Sequence, residues 1–175
     1  MTRRRVVTGV DAEGRSVVVS NGPSSGRFGD GDWEELWAFD GVPARLNDAV
    51  DPVDVPMFRL SPAKGRIAVR IATARAVNDP QRIEAERAPD EQEWTRRMDL
   101  AEVEFGESSP DVSMHRTQSI DVVVIISGEV DLVLDGGEEV HLLPGDSVIQ
   151  RGTMHAWRNT GPEPCVAVFF CVGAE

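Results

Sequence analysis

His115 and Thr117 stand two residues apart, Asp121 heads the apolar run that follows, and His155 opens another apolar segment far downstream. The chain has three histidines in all, so placing two of them at the edges of apolar stretches asks for a reason. Residues two apart on a strand share a face. In a small barrel, inward positions from neighbouring strands converge on one interior. Two imidazoles and a carboxylate suffice for a catalytic divalent metal and leave positions open for water and substrate. His115, Asp121 and His155 are therefore candidate metal ligands, with Thr117 placed to orient water or substrate. Without a metal, His115 or His155 is a candidate general base, since imidazole titrates near neutral pH, and Asp121 would polarise it. A third reading makes all of them satisfied polar residues inside a binding barrel. The residues alone leave these three open.

Other side chains fall around this group. Trp157 lies two after His155 and shares its face, where it can stack on a planar ligand or simply fill the barrel. Gln150, on the preceding strand, can donate to a ligand oxygen or cap its own turn. Phe169 and Cys171 face inward together, unless Phe170 does, and are read as core or pocket wall. Arg116 alternates outward, Arg151 sits on a turn beside a ligand position, and His141 is expected to face solvent.

The elements that must position these residues are mostly strands. Arg5–Val7 and Ser16–Ser20 flank a turn-rich Asp11–Gly14 and read as a hairpin. Residues 22–31, rich in Gly, Ser and Pro, read as a loop. Trp33–Phe39 fits a strand or one face of a short helix, with Trp33 and Trp37 in the core or at a dimer contact. Residues 41–56 read as a surface crossing, and Ile67–Thr73 as a strand. Asp90 with Glu93 three residues on resembles a capping box and predicts a short helix over Glu91–Met98. From residue 112 on, short strands recur with Gly or Pro between them. Glu129–Leu134 and Glu139–Leu143 meet across Asp135-Gly136-Gly137 as a hairpin. That rhythm indicates an antiparallel barrel or sandwich. The domain reading is residues 1–100 as an N-terminal arm with additional strands, and 101–175 as the barrel core.

Composition narrows the function classes. Hydrophobic residues are 41% of the 175, enough for a core, and the formal net charge is −12. Nucleic acid and anionic membrane surfaces need a basic face, so neither is an expected partner. No apolar run approaches the ~20 residues of a membrane span, and the N-terminus lacks a signal-peptide pattern, so the expected location is cytoplasmic. The two cysteines, Cys165 and Cys171, are expected as free, buried thiols. There is no phosphate-binding glycine motif.

The segment from His115 to Asn159 resembles the two motifs of the cupin superfamily. His115-Arg116-Thr117, three residues, Asp121, six residues and Gly128 follow the spacing of its first motif. Pro144-Gly145-Asp146, Arg151-Gly152, His155 and Asn159 follow the second. The resemblance covers roughly the C-terminal 65 residues. It implies an all-β, double-stranded β-helix (jelly-roll) barrel, here with an N-terminal β-rich extension and one or two short helices. In the family three His and one Glu bind the metal. Thr117 stands where the second His would be and Asp121 where the Glu would be, while His115 and His155 match. The resemblance thus implies Fe, Mn, Ni or Zn on His115, Asp121 and His155, or a barrel that works metal-free. It also implies a small-molecule enzyme, either a metal-assisted isomerase, cyclase, dehydratase or decarboxylase or a dioxygenase, acting on an oxygenated, aromatic or polyketide-like metabolite. Thr117, Gln150, Trp157 and Phe169 would contact that substrate. The rival class is a non-catalytic ligand-binding or sensing cupin. A homodimer paired through the N-terminal arm is expected by the same analogy.

Overall fold

The computed structural model describes residues 3–28, 32–46, 50–55, 57–80, 82, 98–107, 109 and 112–175. Among the described residues fifteen strands run in chain order. They are β1 (Arg5–Val10), β2 (Ser16–Gly22), β3 (Arg27–Phe28), β4 (Trp33–Phe39), β5 (Phe58–Arg59), β6 (Ile67–Ala74), β7 (Met98–Asp99), β8 (Val103–Phe105), β9 (His115–Thr117), β10 (Ser119–Ser127), β11 (Val130–Leu134), β12 (Glu139–Leu142), β13 (Ser147–Arg151), β14 (His155–Arg158) and β15 (Cys165–Gly173). Of the sheets formed by the described residues, the two larger have the orders β13-β10-β15-β6-β4-β3 and β12-β11-β14-β9-β8. This is the all-β double-stranded β-helix architecture.

The alternation of β10 explains its place. Ser119, Asp121, Val123 and Ile125 are buried, and Ile120, Val122 and Ile126 between and after them are exposed. The same period on β15 buries Cys165, Ala167, Phe169 and Cys171. Both cysteines are free and buried, as expected. A strand's two faces alternate strictly, so once Val123 and Ile125 enter the core every other residue is assigned. The main core gathers Val123, Ile125, Val130, Leu132, Leu142 and Ala167 from both sheets, with Trp33, Leu134, Val148 and Trp157 packed against it.

Residues before 100 supply three strands of the six-stranded sheet. β6 pairs with β15 from Cys165–Ala74 to Val172–Ile67, and β4 continues the sheet beyond β6. Trp33–Phe39 is thus a strand. Its apolar residues also fit a helical face, but pairing with β6 settles the backbone. The β1–β2 hairpin stands apart as a two-stranded sheet, its turn closed by the Asp11 carboxylate accepting from the backbone N–H of Glu13 and Arg15. The expected helix at Glu91–Met98 lies outside the described residues except for Met98. That residue is in β7, paired in parallel with β5. The reading of Met98 as helical is corrected here, because the partner strand Phe58–Arg59 comes from a distant segment that local capping signals cannot reveal.

Gly128 closes the turn between β10 and β11. Its φ is 70°, and a Cβ there would lie 2.5 Å from the Pro164 carbonyl oxygen and 2.8 Å from Cys165 Cα. Gly136, in the β11–β12 turn, has nothing within 4 Å of the same position. Gly128→Ala should lower the free energy of unfolding by about 2 kcal/mol or more, read from a urea transition. Gly136→Ala should stay within about 0.5 kcal/mol.

Candidate functional site

The barrel interior is apolar at one end and polar at the other. Along β10 the inward residues change from Ser119 and Asp121 to Val123 and Ile125. Across from them on β15, Cys171 is registered against Asp121 and Phe169 against Val123. On β13 the residue registered with Asp121 is Gln150. The second sheet places its own polar residues here, since β14 and β9 pair through His155 and His115.

The two imidazole rings lie 4.6 Å apart between centroids. His115 Nδ1 is 3.0 Å from the Ser113 carbonyl oxygen and His155 Nδ1 is 2.9 Å from that of Thr153. A carbonyl can only accept, so each Nδ1 carries the proton and donates. In a neutral ring so tied, Nε2 is the nitrogen with the lone pair. Burial, followed by the neighbouring His115, pushes the His155 pKa down to about 4, against the pull of the Thr153 hydrogen bond. His155 is therefore a neutral imidazole at pH 7. It is 4% exposed, whereas His115 is half-buried.

Asp121 is buried, and that burial raises its pKa. Hydrogen bonds from Ser119 and Cys171, then the charges of Arg70 and His115, work in the opposite direction. Its Oδ1 is buried without a hydrogen-bond partner. Thr117 is buried and shares a hydrogen bond of 2.8 Å with the Ser119 hydroxyl. The Gln150 side-chain nitrogen donates to the Thr153 carbonyl at 3.0 Å and to the Thr153 hydroxyl. Of its two sequence readings, this is the turn cap, so the amide nitrogen that was to meet a ligand is already engaged. Arg116 is exposed and pairs with Glu104, and His141 is exposed and pairs with Asp131 at 2.8 Å.

Trp157 links the histidines to the apolar end. Its ring meets His155 edge-on at 5.8 Å and Phe169 at 5.9 Å. A cavity of about 70 Å³ lies beyond, lined among others by Trp33, Ile125, Val130, Trp157, Ala167 and Phe169. A lining of this kind favours an apolar group over water. Phe169 faces inward and Phe170 outward, which decides that alternative.

Two buried charged residues at the polar end belong to neither sequence motif. Arg70 is 2% exposed, stacks over Phe58 at 4.6 Å, and donates to the Leu60 and Arg59 carbonyls. Glu35, registered opposite it on β4, is buried, and that burial raises its pKa against the charges of Arg70 and Arg66. A signal did exist: Arg70 has the same parity as Ala68 and Ala72 in IAVRIATA, an inward slot.

A metal centre would have to draw on this donor set. Two Nε2 atoms and the unpartnered Asp121 Oδ1 are suitable donor types. Among the described residues, however, no three His, Cys, Asp or Glu side chains are grouped to hold a metal ion. Thr117, spent on Ser119, does not replace the missing imidazole. The residues as placed do not make a ready three-ligand site.

Residues 99–172 match the Cupin domain family model. The phomopsin biosynthesis cluster protein C' of Diaporthe leptostromiformis is 61% identical over 46 residues, 26% of this chain and 24% of that protein. The cupin-domain-containing oxidoreductase srdB of Neurospora crassa is 47% identical over 51 residues, 29% of this chain and 26% of that protein. The aligned stretches thus span about a quarter of these relatives. A Klebsiella pneumoniae protein with a double-stranded beta-helix domain superposes with a TM-score of 0.40 at 19% identity, over 66% of this chain and 73% of that one. Two sheets closed on a polar-ended interior, with His115 and His155 at motif spacing, accompany the match of residues 99–172 to the Cupin domain family model.

Proposed function

We propose that the protein is a small-molecule enzyme of specialised metabolism that uses His155 as a proton-transferring base. Its substrate would be an oxygenated aromatic or polyketide-like metabolite held against Trp157 and Phe169. The observation that carries this reading is the paired imidazoles, each with Nδ1 tied to a backbone carbonyl and Nε2 left with its lone pair. The names of the relatives, a biosynthesis cluster protein and a cupin-domain-containing oxidoreductase, favour the same area of metabolism.

The chemistry needs no co-reactant. His155 Nε2 takes a proton from the carbon next to a substrate carbonyl. The C–H bond breaks, an N–H bond forms, and the electron pair moves onto the carbonyl oxygen as an enolate. The imidazolium then returns its proton at a second carbon, which completes an isomerisation. Trp157 gives a planar ligand an aromatic wall. The buried surroundings of His155 exclude water, which strengthens each polar interaction with the enolate. Were Fe, Mn, Ni or Zn to bind, His115 and His155 would be the residues to hold it, and it would supply Lewis-acid chemistry. A second reading, a ligand-binding or sensing cupin without turnover, is favoured by one observation: Thr117 and Gln150 spend polar atoms on Ser119 and Thr153.

The test is deuterium exchange, read by NMR in D2O, with the full chain and a panel of aromatic ketones, phenolic aldehydes and β-diketones. Exchange next to a carbonyl should exceed the buffer rate for at least one compound, and His155→Ala should slow it by about 10²–10⁴-fold. Trp157→Ala should weaken binding more than it slows exchange. Exchange that survives chelator supports the metal-free form. Exchange lost with chelator and restored by one divalent ion would transfer the reading to the metal form. Ligand binding without exchange would establish the sensing alternative.

The pH dependence has a definite sign. The folded pKa of His155 lies below its ordinary 6.5, so the unfolded chain binds more protons between about pH 6.5 and pH 4. The stability associated with neutral His155 is fully present above pH 6.5 and is lost as pH falls through that window. The loss is about 3 kcal/mol at most. Asp121, with a raised pKa, works the other way, its contribution being lost as pH rises through its folded value. Urea denaturation at stepped pH should show the decline below 6.5, and His155→Gln should flatten it.

A further inference from the structure

The inner face of the five-stranded sheet carries a row of side chains that its register sets side by side. Leu134 is registered with His155, His155 with His115, and His115 with Phe105 on β8. Residues directly opposite on antiparallel strands share a face, with Cβ atoms about 5 Å apart. The flanking positions agree with this assignment. Glu104 and Arg116, registered with each other, are exposed and form an ion pair on the outer face. Val103 stands opposite the buried Thr117. Phe105 therefore belongs to the face that carries the two imidazoles, although neither sequence motif includes it.

Phe105 is 54% exposed, the highest value among the six phenylalanines, while His155 in the same row is buried. Among the described residues β8 is the last strand of its sheet, so no further strand covers that side. The backbone at Phe105 is held closely all the same. The Gly106 N–H donates to the Met114 carbonyl at 2.9 Å, which extends the β8–β9 pairing past Phe105. A Cβ on Gly106 would lie 3.0 Å from Met154 Sδ and 3.3 Å from Met114 Cβ. The turn that delivers β8 carries Glu102 at a φ of 63°, the one non-glycine residue with positive φ among those described. A side chain in that region stores backbone strain. An aromatic ring left half in water adds little to folding, so the core does not explain why it stands beside the histidines.

We propose that Phe105 is the outer wall of the site and selects flat, oxygen-bearing rings over puckered ones. This rests on the reading of the histidine pair as the reacting centre. Trp157 flanks His155 along β14 and Phe105 flanks His115 across the sheet. The imidazoles, 4.6 Å apart, thus lie between two aromatic positions, one reaching toward the apolar cavity and one at the solvent edge. A planar ring meets an aromatic wall in offset or edge-on contact, which a puckered ring of the same size cannot match. Such a ligand also covers apolar surface of Phe105 that water now touches, which favours its binding.

The experiment is an NMR titration of the full chain with acetophenone and with cyclohexyl methyl ketone, which carries the same carbonyl on a puckered ring. Amide shifts give a Kd for each. Wild type should bind acetophenone about tenfold more tightly, and Phe105→Leu should cut that preference to about twofold by weakening acetophenone alone. Should Phe105→Leu fail to fold, Phe105→Met reads the same comparison. Phe105→Tyr, which keeps the ring, should keep the preference. An unchanged preference in Phe105→Leu overturns the proposal. Equal weakening of both ketones overturns it too, because that is the mark of a structural residue. So does a wild type that binds neither ketone. The titration reads binding alone. Absent deuterium exchange with the preference intact and sensitive to Phe105→Leu would therefore sink the proton-transfer reading and support the role of Phe105.

Discussion

β10 and β15 pair antiparallel from Ser119–Gly173 to Ser127–Val166 at the centre of the six-stranded sheet. The rest of the barrel depends on this pair, because a slip of one residue would turn Val123, Ile125 and Phe169 out and Val122, Val124 and Phe170 in. Both faces being apolar, hydrophobicity alone does not pin this register. The polar residues do. Asp121 inward finds Cys171 and Ser119, and the slipped pairing would turn it away from them. The buried acid thus costs desolvation and contributes uniqueness of register.

From that pair the polar end of the barrel is assembled piece by piece. β13 brings Gln150 and its turn, β14 brings His155, and β9 brings His115 against it. β6 and β4 add Arg70 and Glu35. Several of the buried polar groups make specific contacts. The Nδ1 atoms of both histidines satisfy backbone carbonyls and so define the tautomer. Arg70 holds the β5 segment over the barrel through two carbonyls. Among the described residues, Asp121 Oδ1 and Arg70 Nε are buried without a hydrogen-bond partner. Buried polar groups without partners are uncommon in folded proteins, and such atoms point to function or bound solvent.

The C-terminal half was legible in the sequence because its strands are short, regularly punctuated and strictly alternating. The Asp135-Gly136-Gly137 turn, the inward cysteines and the strand positions of His155 and Trp157 follow from local chemistry. The candidate histidines were legible for the same reason. Arg70 and Glu35 were less so, since a charged residue in an inward slot reads first as an outward one. The Trp33–Phe39 segment was ambiguous because its aromatic spacing fits both periods. Gln150 shows the remaining limit: its spacing allowed both a ligand contact and a turn cap, and only the position of Thr153 separated them.

By itself the sequence determined the alternation, the turns and the residue types available for chemistry, because these depend on neighbours a few positions apart. The tertiary structure decided which distant residues meet. His115 and His155 come from different strands, and their 4.6 Å approach depends on β9 pairing with β14. Whether Asp121 joins them depends on how far the two sheets stand apart at that end, a distance set by the packing of every side chain between them. No local pattern encodes that spacing, since it is a property of the closed barrel.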